Sequence, residues 1–225
     1  MKTKSEFNWE GLWRTSGNSF ILFTIIAYAL YGYQPQVAES IDSLVSYYHG
    51  HRMRILIAAF ISGMAILNLL WFASTLRSTL VDAGRDGWGA SVIIASSIFG
   101  GLSFLLIAID TALAFSIADS GNATLISALH NFEWAAFVMS SFPRAMLIMA
   151  GSFGLWRAGI ISNGMFAAGV TAIVLVLLGG TTWMNEGIWS PDGIYSRFIS
   201  PIIGLVWVGV VNRILTVSPA TRATW

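Results

Sequence analysis

The sequence contains no cysteine, which excludes a disulfide framework, a thiolate nucleophile and any cysteine-ligated zinc or iron–sulfur centre. Charge is almost as scarce. Asp, Glu, Lys and Arg make up 10% of the 225 residues, against roughly 25% in an average soluble domain, and this argues against a soluble fold. Twelve Lys+Arg against eleven Asp+Glu leave a net charge of +1, with no basic excess to follow a phosphate backbone, so nucleic acid is not an expected partner. Lysine occurs only at Lys2 and Lys4, so none stands inside an apolar run to form the Schiff base of a retinal protein. One histidine within the runs is too few for a bis-histidine haem. No DDxxD-like acidic pair is present to hold magnesium against a pyrophosphate.

What the chain has in abundance is apolar and aromatic. Hydrophobic residues make up 56% of it, with Trp 10, Phe 14 and Tyr 6. About 20 apolar residues cross a ~30 Å hydrocarbon core, and the uncharged runs fall at 15–38, 55–76, 87–116 (interrupted only by Asp110), 124–155 (holding Glu133 and Arg144), 158–185 and a shorter 198–212. They are continuous rather than alternating, which speaks against a strand barrel. The expected fold is therefore all-α: a single domain over 1–225, a bundle of six transmembrane helices at about 15–36, 53–76, 88–117, 125–153, 161–183 and 194–217.

Lys and Arg in the short loops predict the orientation. With the N-terminus inside, the inner side holds Lys2, Lys4, Arg14, Arg77, Arg85, Arg157, Arg213 and Arg222; the outer side holds Arg52, Arg54 and Arg197. Both termini are expected in the cytoplasm. Asn8, Trp9, Glu10 and Gly11 precede the first apolar run and no small-residue cleavage site follows it, so a cleavable signal peptide is not expected; Trp9, Leu12 and Trp13 read as an interfacial collar. Between the first two runs, Ala38, Ile41, Leu44, Val45 and Tyr48 recur at helical spacing, predicting a short amphipathic helix on the outer surface. A Gly-rich loop, 189–195, would cover the same face.

Ionisable groups inside a span cost roughly 2.5–3.5 kcal/mol each and usually face the bundle interior on a functional path. Here they are Asp110, His130, Glu133 and Arg144, with the amide Asn68. Counting at about 1.5 Å per residue from the turn near 120 puts Asp110, His130 and Glu133 at similar depth on antiparallel neighbours. His130, Glu133, Phe137, Ser140 and Arg144 form one stripe, and Ser96, Gly100, Ser103, Ile107 and Asp110 form its counterpart. On this register Arg144 lies level with residue 99, facing Ser96 and Gly100. His49 and His51 fall on the outer side; with His130 and a carboxylate they would satisfy zinc chemistry, or else form an interfacial pair.

A buried carboxyl group that keeps its proton is a general acid, and a neighbouring carboxylate or imidazole can orient that proton. Aromatic faces stabilise cations by about 0.5–2 kcal/mol when desolvated. The candidate catalytic residues are thus Asp110, Glu133 and His130, and the candidate substrate-binding residues His51, Asn68, Trp71, Phe104, Trp134, Phe137, Arg144, Trp183 and Trp189. No metal and no cofactor is required.

The segments Tyr47-Tyr48-His49-Gly50-His51-Arg52-Met53-Arg54, Trp71-Phe72, Leu76-Arg77, Phe142-Pro143-Arg144-Ala145 and Leu155-Trp156-Arg157 resemble a broad group of small bacterial integral-membrane proteins. Size, span number and buried acids are similar, in class rather than in motif, to the integral-membrane terpene cyclases of the drimentine type. That resemblance implies protonation of an alkene on a prenylated, lipophilic substrate, followed by carbocation cyclisation in a bacterial cell membrane. Two alternatives use the same residues: a proton-coupled transporter with an acid, histidine and arginine relay, and a metal-dependent membrane hydrolase built on the histidines.

Overall fold

The computed structural model describes residues 15–217. The tryptophan collar near the N-terminus and several of the charges that set the expected orientation lie outside them. Among the described residues there is helix and no strand. The helices are α1 (Ser16–Tyr31), α2 (Ile41–Gly50), α3 (Arg52–Asp82), α4 (Asp86–Ala112), α5 (Ala123–Met139), α6 (Ser141–Arg157), α7 (Asn163–Gly179) and α8 (Ser200–Val217). A π-turn (Leu113–Ile117) and a 3-10 turn (Ala118–Ser120) extend α4, and a second π-turn (Tyr195–Ile199) leads into α8. Four helical units, Arg52–Asp82, Asp86–Ser120, Ala123–Arg157 and Tyr195–Val217, are long and apolar enough to cross a membrane; α1 and α7 are apolar but shorter.

The helices close into a ring. α1 packs on α3, α3 on α4, α4 on α6 and on α5, α6 on α7, α7 on α8, and α8 returns to α1. Large apolar side chains cover the ring's exterior, among them Phe60, Ile57, Leu67, Ile98 and Val206. An exterior of this kind suits lipid as solvent and would aggregate in water. Inside, two apolar cores sit toward opposite ends: Leu44, Tyr48, Ile55, Leu113 and Ile126 at the end carrying α2, and Leu69, Phe72, Leu76, Leu80, Ile148, Leu155, Trp207 and Leu215 toward the other. Close helix approach in the second core depends on missing side chains. A Cβ on Gly151 would stand 2.6 Å from the Trp207 ring.

Several boundaries differ from the sequence reading, each for a local reason. The first helix stops at Tyr31 rather than near 36, because Gly32 adopts φ 74° and Pro35 disfavours helix in the residue before it. Ala38, expected on the amphipathic helix, instead takes φ 61° in the turn before it; α2 starts at Ile41, where Ser40 accepts a hydrogen bond from the Ser43 amide. α3 runs to Asp82, past the expected end at 76. α7 ends at Gly179, before the expected 183, with the chain turning through Gly180. The expected fourth span is two helices in series. The break falls at Ser140, just ahead of Pro143, whose missing N–H leaves the preceding turn without one of its bonds.

Candidate functional site

Asp110 sits on the last turn of α4, immediately before the π-turn, and Glu133 on the facing turn of α5. Both are 7% exposed. They line one half-open cavity of about 140 Å³ with Tyr28, Tyr31, Gln34, Phe137 and Arg197. The two carboxyl groups are near enough for their charges to interact, with Tyr31 beside Asp110. Glu133 Oε1 accepts a 3.0 Å hydrogen bond from Gln34 Nε2. Its Oε2, the Oδ1 of Asp110 and the Tyr31 hydroxyl are buried without a protein partner. Buried polar atoms are nearly always paired; these three stand within reach of one another around one cavity, where a shared proton, a water or a ligand completes the set.

A second cavity continues from the first. The two share Ala27, Tyr28, Ser62, Leu106, Ile107 and Phe137, and the second holds about 200 Å³. Its wall is apolar and aromatic, with Phe20, Phe99, Phe137 and Trp207, apart from a few hydroxyls and one charge, Arg144. Arg144 Nη2 donates to Ser140 Oγ (3.3 Å) and Ser141 Oγ (3.2 Å). Its guanidinium lies over Phe99 and Phe137 at 5.7 and 5.8 Å. The expected register holds, since Phe99 is level with Arg144, but the facing residues are Phe99 and Gly204 rather than Ser96 and Gly100. Ser96 turns its hydroxyl to the Ile93 carbonyl of its own helix, and Gly100 packs against Ile66 and Leu70.

His130 does not orient the carboxyl pair. Its Nε2 lies 3.1 Å from the Gln36 carbonyl and its Nδ1 3.0 Å from the Tyr48 hydroxyl. A carbonyl can only accept, so Nε2 carries the proton, and Nδ1 accepts from Tyr48. Burial pushes the Tyr48 phenol well above its ordinary value, which keeps it a donor. His130 is a strut that ties the 33–40 loop and α2 to α5.

The remaining expected residues are dispersed. His51 is exposed at the α2–α3 junction, edge-on to Tyr47, and His49 pairs with Asp119 at 2.9 Å on the surface. Among the described residues no three His, Cys, Asp or Glu side chains converge as metal ligands, so the histidines do not assemble the centre that the hydrolase alternative needs. Asn68 donates to the Met64 carbonyl of its own helix. Trp71, Phe104 and Trp183 are exposed and line neither cavity. Trp189 donates to the Thr181 carbonyl and packs on Tyr195 within the α7–α8 loop. Trp134 is buried behind the acid cavity, edge-on to Phe137.

The sequence reading missed Arg197, counted there as a loop charge. It is 4% exposed; its Nη2 donates to the Gln34 carbonyl, its Nη1 has no partner, and its guanidinium covers Tyr33 at 4.1 Å. The signal was available: Arg197, Ser200, Gly204, Trp207 and Val211 share one buried stripe of the last helix. Gln34, Tyr28 and Tyr31 carried no such signal, because neutral polar residues near a span end are common.

Ring, cavity and apolar exterior together define an all-helical protein with four helices long enough to cross a membrane. Compared with protein-family profiles, with curated proteins and with solved structures, the chain shows no match.

Proposed function

We propose that the chain is a six-span bacterial membrane enzyme, with both termini in the cytoplasm, that cyclises a prenylated lipophilic substrate by protonation. The observation that carries this reading is the placement of two buried carboxyl groups at one end of an apolar, aromatic-walled cavity, with acceptor atoms left unpaired. The carboxyl in its acid form donates its proton to one carbon of a substrate alkene, the alkene π-pair forms the new C–H bond, and a tertiary cation results. The next alkene attacks that cation and closes a ring; loss of a proton from the last cation forms the product alkene and restores the acid. The product is an isomer of the substrate. The carboxylate left behind and the ring of Phe137, which lines both cavities, stabilise the cation. Gln34 holds Glu133 in place. Purified protein supplied with a farnesylated aromatic acceptor should yield cyclised products of unchanged mass; recovery of unreacted substrate alone, across several prenyl lengths, would count against the reading.

A proton-coupled carrier is the second reading, and one observation favours it. Polar groups run through the ring from the carboxyl pair past Tyr28 to Arg144 and Arg197, with Arg144 Nε and Arg197 Nη1 unpaired. Such a chain suits a proton path. Flux into proteoliposomes that follows a pH gradient, without chemical change of the solute, would select it over cyclisation.

A further inference from the structure

Among the described residues Arg144 is a buried cation without a counter-ion. It is 7% exposed, it sits in the wall of the apolar cavity, and no carboxylate pairs with it among the described residues. Only Nη2 is hydrogen-bonded, to two serine hydroxyls at the long distances of 3.3 and 3.2 Å; Nε is buried without a partner. The wall leaves room beside it at Gly204, where a Cβ would already touch Arg144 Cδ at 3.5 Å. A buried guanidinium normally has an anion in its fork. Here the space in front of it is cavity rather than protein.

We propose that Arg144 binds the anionic head, a carboxylate or comparably acidic oxyanion, of an amphiphilic substrate whose prenyl chain extends along the cavity to Asp110 and Glu133. Glu133 and Arg144 are separated by eleven positions of the α5–α6 unit, about 16 Å of helical rise, and the joined cavities connect them. The site therefore fixes which end of the molecule meets the acid. It also resolves a conflict within the cyclase reading, on which this proposal rests. An unpaired guanidinium would repel a carbocation formed in the same cavity, whereas an oxyanion on Arg144 cancels that charge. Ser140 and Ser141 hold Nη2 in place; the Ser140 hydroxyl gives its own proton to the Phe137 carbonyl at 2.6 Å, so the head group is left to the guanidinium itself.

The test is binding, which requires no turnover. Protein in nanodiscs of zwitterionic lipid is titrated with a farnesyl-substituted benzoic acid and with its methyl ester. The acid should bind at least about tenfold more tightly, the size of one charge-assisted hydrogen bond. Arg144→Gln should bring the ratio close to one, and Arg144→Lys should keep part of it. Equal binding of acid and ester by the unaltered protein overturns the proposal even if Arg144→Gln fails to fold. A preference that survives in Arg144→Gln also overturns it. Displacement of the acid by added phosphatidylglycerol would assign the site to a lipid head group and overturn the substrate assignment. Cyclisation of the ester as fast as the acid, with no binding preference, would sink this proposal and leave the cyclase reading intact. An Arg144-dependent preference with no cyclisation would do the reverse.

Discussion

At the α2 end of the ring, polar groups buried side by side meet opposite fates. His130 has both nitrogens engaged, by Tyr48 and by the Gln36 carbonyl. Glu133, one turn further along the same helix, has one oxygen engaged by Gln34 and one left open, facing an Asp110 that is also left open. Both residues are nearly inaccessible, so burial alone does not distinguish a strut from a reactive group. The state of the hydrogen bonds does. A fully satisfied polar group specifies packing, and a half-satisfied one, in lipid, retains a cost that only a bound molecule or proton offsets.

The widest separation between the two kinds of group is expected in turnover. Glu133→Gln and Asp110→Asn should each lower the rate of isomer formation by about 10²–10⁴, the contribution of a positioned acid. Neither should lower the thermal midpoint, because each replaces a costly buried carboxyl with a neutral amide of the same shape. Rates on extracted product and unfolding in detergent are the two measurements. Full activity in both variants would remove the carboxyl pair from the chemistry.

The next largest effect is on the opposite core. Gly151→Leu drives a side chain into the Trp207 ring, whose indole donates to Ser152 Oγ at 2.9 Å. Overpacking of this kind costs about 1–3 kcal/mol, read as a lower unfolding midpoint. Trp207 also lines the deep cavity, so the variant should weaken ligand binding along with the fold. A midpoint unchanged by the leucine would mean that the ring is looser at this core than its contacts indicate.

Much of this arrangement is legible in the sequence, and the exceptions share a cause. Uncharged runs locate the helices because lipid forbids unpaired backbone and solvated charge within the core. The juxtaposition of Asp110 with Glu133 follows from counting away from a turn that joins antiparallel neighbours. Helix ends were less legible: Gly32 ends α1 with a positive φ, Ala38 takes one in the turn ahead of α2, and the α5–α6 break goes with the missing N–H of Pro143, none of which hydropathy registers. The role of His130 was hidden for another reason. Its partners are a tyrosine on a surface helix and a loop carbonyl, and a backbone carbonyl leaves no mark in side-chain spacing. Arg197 was misplaced because a charge at a span boundary reads equally well as loop or interior, and only the buried stripe running on to Val211 separates the two.

Tyr48→Phe examines the strut directly. It leaves His130 Nδ1 buried without a donor, so a loss of about 1–2 kcal/mol is expected, with binding at the cavity preserved. Equal loss of ligand affinity would instead couple the strut to the site.

The smallest effect belongs to the residue beside it. His49 points outward to Asp119, with side-chain exposures of 71% and 47%, and Arg52 stands 3.8 Å from the other oxygen of the same carboxylate. Exposed pairs of this kind contribute about 0–1 kcal/mol and are screened by salt, so His49→Ala should move the midpoint less than Tyr48→Phe and lose even that difference in molar salt. Two adjacent residues on α2 thus separate an interior tether from an exterior one. A larger cost for His49→Ala than for Tyr48→Phe would reverse the assignment: α2 would then be held by its surface ion pair, the hydrogen bonds of His130 would be incidental to its burial, and its imidazole would return as a candidate partner for the carboxyl pair one turn away.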